Sequence, residues 1–293
     1  MNYYQSDEMT SAKSNHAKRQ EDARAWTKPK CPTAVNMIKK RTADSVGSQA
    51  KSHILSPSDT MVRLLKPASL SQDGFEVCHI DLVSDPDFQA VQQAEYETCK
   101  PGENTCSRLP RKIRWGAYSC DRISWHDRDT YMLPAELNPE DAGAIRKFGQ
   151  LDDTFLRHPV TEHLLRVIFR NWKFEKTSYQ QLYQTQLSAI RYEVTLATPA
   201  LPSPIAPHQD LVDTAIVMLH RTENIVGGLS RIYDLDRRPI IQMDLRVGDI
   251  LFVCDAKVLH QVTPLMLEPG ENWNAGKSVY RDVLLVRFQP VGR

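Results

Sequence analysis

From about residue 178 onward the chain is a succession of short apolar runs, each bounded by turn-forming residues, and this restricts the fold more than any other feature. "YQQLYQTQLSAIRYEVTLA" alternates, and "TAIVMLHR", "GLSRIYDL", "RPIIQMDL", "GDILFVCD", "HQVTPLML" and "RDVLLVRF" follow it. Runs of this length suit strands, and their β-branched and aromatic side chains fit a pleated surface. Many short strands in succession point to a sandwich or barrel, because an open sheet would leave its edges unpaired. The expectation is a jelly roll over residues 178–293, within a single domain that begins near residue 66.

The preceding stretch, residues 66–177, reads differently. "FEVCHIDL" at 75–82 suits a strand, but the segments after it carry helix starts. In "SDPDFQAVQQAEYE", Asp85 can accept a hydrogen bond from first-turn amides, and Pro86 stands where its missing N–H costs nothing. The same device recurs in "NPEDAGAIRKF", with Asn138 before Pro139, and in "HPVTEHLLRVIFRNW", where Val160, Leu164, Val167 and Ile168 mark one apolar face. The fold class is therefore α+β, with N-terminal helices supporting a β-rich half. Residues 1–65 are rich in Ser, Lys, Arg, Gln and Asn and have few clustered apolar side chains to offset the entropy of ordering. A disordered tail is expected there, and its basic run "IKKRT" reads as solvated charge.

Composition narrows the partners. A chain of 293 residues, 41% hydrophobic, can bury a full core, and a formal net charge of +1 provides no general field for nucleic acid or an anionic membrane. A small molecule bound at a local site is the expected partner. No apolar run reaches the ~18 residues of a membrane-spanning helix. "MNYYQSDEMTSAK" lacks the basic start and apolar centre of a signal peptide, so the cytoplasm is the expected compartment. The six cysteines, Cys31, Cys78, Cys99, Cys106, Cys120 and Cys254, form no CxxC and read as reduced thiols; Cys99 and Cys106 flank a Pro-Gly turn and could pair if oxidised.

Within "PIAPHQDLVD", His208 and Asp210 stand one residue apart just before the strand "TAIVMLHR". In extended chain, residues i and i+2 project to one side, so an imidazole and a carboxylate can converge. Pro204 and Pro207 keep the approach extended. Downstream, His260 ends "GDILFVCDAKVLH", whose strand starts at the Gly248–Asp249 turn. Two imidazoles and one carboxylate can occupy one face of an octahedral metal site and leave three positions open. A lone His-x-Asp also occurs as an ordinary turn or cap, and the placement at strand ends is what favours a metal. His158, His163 and His220 have no such partners and read as surface or core residues.

Arg281 opens the last strand, "RDVLLVRF". An arginine pointing inward is costly to bury unless a carboxylate meets it, and its planar fork suits one. A partner within the protein, such as Asp282 or Glu268, is the plainer alternative. Arg287 shares the parity of Arg281 and competes with it. Arg281 is preferred because Val283 and Leu285 on its face, and Leu284 and Val286 on the other, form a core strand that would fix it.

These residues resemble the iron(II)- and 2-oxoglutarate-dependent dioxygenases of the group that includes bacterial hydroxylases of free L-isoleucine and related amino acids. The resemblance covers about residues 186–289. It is carried by "HQD" at 208, "NIVGGLSRIYDLDRRPI" at 224, "GDILFVCDAKVLHQVTP" at 248 and "RDVLLVRF" at 281, with a weaker extension to "AIRKFGQLD" at 144. It implies a double-stranded β-helix of cupin-like type, His208, Asp210 and His260 as iron ligands, and Arg281 as the anchor of 2-oxoglutarate. It further implies dioxygen as cosubstrate, release of succinate and carbon dioxide, and oxidation, most simply hydroxylation, of an aliphatic C–H bond in a free L-amino acid or similar molecule. Two departures stand near the expected substrate mouth: Leu211 replaces a glycine common after the metal aspartate, and "LMLEPGENWNAGKSVY" lengthens the segment before the last strand.

An amino-acid substrate needs a cation for its carboxylate. Arg191, in "AIRYEV", is the candidate, against the plainer reading of a surface arginine; Trp115, Tyr118 and Trp125 are pocket or core aromatics. A different class remains open: a jelly-roll protein that binds metal without oxidising anything, such as a cupin-like isomerase or a small-ligand sensor. It would keep the three ligands but have no need of Arg281.

Overall fold

The computed structural model describes residues 63–64, 70–82, 84–105, 109–119, 122–132, 143–172, 182–196, 198–202, 204–268 and 279–291. Apart from Arg63–Leu64, the tail expected over residues 1–65 lies outside the described residues, as do Asn138, Pro139, Cys31, Cys106 and Cys120. Cys78, Cys99 and Cys254 are free thiols.

Two twelve-residue strands, Tyr183–Val194 and Val279–Pro290, pair antiparallel over their whole length and form the centre of the molecule. On its other edge Val279–Pro290 pairs with Asp213–Arg221, which continues through Asp249–Val253 and Phe75–His79 to Arg63–Leu64. Beyond Tyr183–Val194 lie Arg111–Ser119 and Arg122–His126, and Gly149–Gln150 joins Arg111–Ser119 in parallel, making nine strands. A second β layer consists of Pro239–Met243, Ser230–Tyr233 and Leu259–Val262, together with the ribbon Ile225–Gly227 and Leu265–Leu267. Isolated bridges tie Ala200 to Leu265 and His208 to His260. The result is the expected jelly roll, and each run read as a strand from residue 183 onward forms one, except "HQVTPLML", which divides between Leu259–Val262 and Leu265–Leu267 of two different sheets.

Side chains alternate between two cores. On one face of the large sheet, Leu187, Ala189, Leu284 and Val286 pack with Leu164, Ile168 and Phe169 of the helix Pro159–Asn171. On the other, Ile190, Tyr192, Ile216 and Val283 meet Ile225, Ile232 and Leu265 of the second layer. A one-residue slip of the central strand would exchange the two sets, so register and site position are fixed together.

Helix starts at Asp85 and His158 form as read. The Asp85 carboxylate accepts the Phe88 N–H at 2.9 Å, and the cap of the later helix is His158, whose Nδ1 accepts from Val160 N at 3.2 Å. The third expected helix does not extend over the described part of its segment, where Arg146–Lys147 is a short strand, and Gly149–Gln150 just after it is another. Residues 66–177 are also less helical than expected, since Arg111–Ser119 and Arg122–His126 extend the main sheet. "RKIRWGAYS" conceals its strand because two of its basic side chains, Lys112 and Arg114, are matched by polar groups from distant segments. Lys112 Nζ reaches Glu95 at 2.9 Å and Asp152 at 3.2 Å, and Arg114 donates to Gln150 at 2.6 Å. No helix among the described residues is long and apolar enough to cross a membrane.

Arg191 is paired elsewhere. It lies opposite Asp282 in the register, on the helix-facing side of the sheet, and donates from Nε and Nη2 to both oxygens of Asp282 at 2.8 and 2.7 Å. Gln92 also donates to Asp282, at 3.0 Å, and Tyr280 lies beneath the guanidinium. Breaking a buried pair strands a charge, so Asp282→Ala is expected to lose about 3–5 kcal/mol in urea unfolding.

Just before Asp213–Arg221 the backbone turns through Leu211 at φ +62°, the left-handed region where a side chain is disfavoured and glycine is at ease. Glycine, the residue that the resemblance leads one to expect here, would take this conformation without strain. Leu211→Gly is expected to unfold at no lower urea concentration than the natural protein, whereas Leu211→Val, β-branched, is expected to be about 1–2 kcal/mol less stable.

Candidate metal and cosubstrate site

His208 and His260 come together through the backbone. Each donates its N–H to the other's carbonyl at 3.0 Å, which sets their rings 4.4 Å apart between the two β layers. Asp210 completes the group: its Oδ1 lies 3.5 Å from His208 Nε2, and its Oδ2 lies 3.9 Å from His260 Nε2. One ligand atom from each of the three lies within 4.8 Å of the others, a spacing that suits a single cation.

The protonation states fit a metal. His208 Nδ1 lies 2.9 Å from the Ala206 carbonyl, which only accepts, so Nδ1 carries a hydrogen and Nε2 is the nitrogen that faces Asp210. Burial drives His260 down to about 4, leaving a neutral imidazole at physiological pH. Burial opposes ionisation of Asp210, but Arg287 and both histidines outweigh it and hold the carboxyl well below the usual range. Burial likewise opposes charge on His208, and Asp210 with the Ala206 carbonyl more than offsets it, raising the pKa. The group thus attracts positive charge to the place where a cation would sit.

The turn bearing Asp210 is braced from behind. Asp255 accepts the Asp210 N–H at 2.6 Å, its carbonyl accepts from the Gln209 amide, and its own N–H donates to Asp213 at 3.0 Å. Burial and the nearby Asp210 raise the Asp255 carboxyl to about 6. Arg287 Nη2 donates to Asp210 Oδ2 at 3.0 Å, and its Nη1 donates to Gln186 at 3.3 Å. Neither Asp255 nor this use of Arg287 is evident from the sequence, because both depend on contacts between distant strands.

Arg281 differs from every other arginine in this cavity. It is 1% exposed, and among the described residues none of its three guanidinium nitrogens has a hydrogen-bond acceptor. Tyr192 lies 5.8 Å from it, and at Gly228, φ +68°, a Cβ would stand 3.3 Å from Nη1. The backbone of "NIVGG" is therefore close-fitted to the guanidinium. Burial lowers its pKa to about 10, which still leaves it cationic at neutral pH. An uncompensated buried charge costs several kcal/mol, a cost that a ligand carboxylate would remove.

One cavity is lined by His208, Asp210, His260, Arg281 and Arg287 together with Arg111, which sequence reasoning did not identify. Arg191 is absent from its walls, and Trp115, Tyr118 and Trp125 are too; Tyr118 instead stacks on Phe169 in the helix-side core. Arg191, expected as a substrate contact, instead lies away from this cavity in a buried ion pair with Asp282.

Similar proteins agree with the site's chemistry. A profile of the family described as 2OG-Fe dioxygenase matches residues 72–287. An L-isoleucine-4-hydroxylase from Bacillus thuringiensis is 29% identical over 209 residues, 69% of this chain and 80% of its own length. A 3(1)-hydroxy-L-isoleucine 4-dioxygenase from Pantoea ananatis is 26% identical over 60% of this chain and 72% of its own length. Two crystal structures share the fold at 19% identity: IDO from Bacillus thuringiensis, with a TM-score of 0.60 over 75% of this chain and 96% of the other, and a bsmA homolog from Methylobium petroleophilum PM1, with 0.62 over 75% and 90%. The family uses iron(II), 2-oxoglutarate and dioxygen. This chain, matched over most of its length by the family profile, belongs to the 2-oxoglutarate- and iron(II)-dependent dioxygenases and is an oxidoreductase.

Proposed function

We propose that the protein hydroxylates an aliphatic C–H bond of a free L-amino acid, with His208, Asp210 and His260 holding iron(II) and Arg281 binding the far carboxylate of 2-oxoglutarate. The observation that carries this reading is Arg281, a buried cation without an acceptor among the described residues, in the same cavity as a His-Asp-His cluster. Bound there, iron(II) with 2-oxoglutarate and dioxygen supplies an oxidant able to attack an unactivated C–H bond, one oxygen atom going to the product and the other to succinate as carbon dioxide is released.

The chain's own residues prepare that chemistry. Arg287 and Asp255 hold Asp210 from two sides, so its carboxylate keeps its orientation when a ligand enters. The neutral His260 presents a lone pair without first losing a proton, and the Ala206 carbonyl, by holding Nδ1–H of His208, leaves Nε2 as the nitrogen that would face a cation. Ile190, Ile216, Val262, Val283 and Leu285 give the cavity aliphatic walls that exclude water and suit an aliphatic side chain. The names of the two relatives, both referring to isoleucine, support an amino acid of that kind.

Anaerobic addition of iron(II) and 2-oxoglutarate is expected to give the weak visible charge-transfer band of the chelate. In air, branched-chain amino acids are expected to stimulate succinate release. No band and no stimulated succinate with any free amino acid would reject the proposal, and His208→Ala is expected to abolish the band. Arg281→Met is expected to weaken 2-oxoglutarate binding by about 3 kcal/mol, roughly a hundredfold, as read by titrating the band. Without ligands the same variant is expected to melt at or above the natural temperature, because it no longer buries an unpaired charge.

A further inference from the structure

Three guanidinium groups line the cavity, and two of them have work already. Arg287 is committed to Asp210, and Arg281 is assigned to the cosubstrate. The third, Arg111, meets no carboxylate among the described residues; its cationic carbon lies 5.5 Å from the Phe148 ring. Its position follows from the sheet. Arg111 is the first residue of Arg111–Ser119 and faces Ile190, which in turn faces Val283 on the central strand. These three form a row on the cavity side, an arginine followed by two aliphatic residues.

Arg111 and Arg281 differ in depth. Arg281 is sealed at 1% exposure between the β layers, whereas Arg111 is only partly buried. A cosubstrate that also chelates the metal belongs at the sealed cation, and a substrate that comes and goes belongs at the one with access to solvent. The groups facing Arg111 make a second anion favourable. Arg287 and Arg146 are near it and repel it, Tyr131 and Tyr192 supply only phenolic neighbours, and burial with Arg287 lowers its pKa to about 10, leaving it charged at neutral pH. Burying like charges together is unfavourable until an anion arrives.

We propose that Arg111 binds the carboxylate of the substrate, and that the protein therefore acts on molecules with a free carboxylate beside an aliphatic chain and rejects the same molecules as amides, thioesters or peptide-internal residues. The proposal rests on the oxygenase reading above. It assigns the aliphatic row beside Arg111 to the substrate's side chain, and it places selection at a cation separate from the cosubstrate anchor.

The test compares L-isoleucine, L-leucine and L-valine with their amides, using succinate release and calorimetric titration of each into protein loaded with manganese(II) and 2-oxoglutarate. The acids are expected to bind and react, and the amides to do so at least roughly tenfold more weakly. Arg111→Gln is expected to raise KM for the acid roughly 10- to 100-fold while the iron(II)–2-oxoglutarate band persists, and Arg111→Lys is expected to recover part of the loss. Equal use of acid and amide overturns the proposal. So does an unchanged KM in Arg111→Gln, or loss of the chelate band in that variant, which would assign Arg111 to the cosubstrate. A natural protein that forms the band yet binds none of these acids also overturns it, whereas absence of the band in the natural protein rejects the oxygenase reading beneath.

Discussion

The site depends on an imbalance of charge: three guanidinium groups share one cavity with a single carboxylate. Water would screen such a group at the surface, but here the groups stand between two β layers whose other side chains are largely aliphatic. The imbalance is built by strand geometry. Arg281 and Arg287 are an even number of residues apart on one strand, with Val283 and Leu285 between them on the same face, while Asp282 turns to the opposite face to meet Arg191. A register shift of one residue would put the cations among the helices and Asp282 in the cavity. An anion would complete such an arrangement, and 2-oxoglutarate, proposed for Arg281, is a dianion.

The proposed metal group is held by a different kind of force. His208 and His260 are joined by reciprocal backbone hydrogen bonds, so their separation follows from pairing and not from side-chain packing alone. Asp210 has less backbone support, and its place is kept by Asp255 behind it and Arg287 beside it. The turn that makes this possible passes through Leu211 in a left-handed conformation, a strained choice for a leucine. Leu211 is also largely exposed, so its side chain is available to whatever approaches from that side.

Much of this was legible in the sequence. The β half was readable because turn residues bound each apolar run, and His208, Asp210, His260 and Arg281 could be singled out as candidates because they flank or end those runs. The fate of Arg191 was not, since an arginine on an alternating strand gives no sign of which face it takes until the register with Asp282 is known. Arg111–Ser119 was missed as a strand because Lys112 and Arg114 look solvated in sequence and are in fact matched by Glu95, Asp152 and Gln150 from distant segments. Arg111, at its start, was missed with it. Asp255 and Arg287 share the same cause: a side chain that steadies a ligand is recognisable only once the strands carrying the two are neighbours.

The most direct test of the central claim is the fate of dioxygen during turnover with a free amino acid. Under labelled dioxygen, mass spectrometry is expected to find one labelled oxygen in the succinate and one in the hydroxylated amino acid, with the two products formed in equal amounts. Amino acid recovered unchanged, or hydroxylated with oxygen from water and without succinate, would contradict the account.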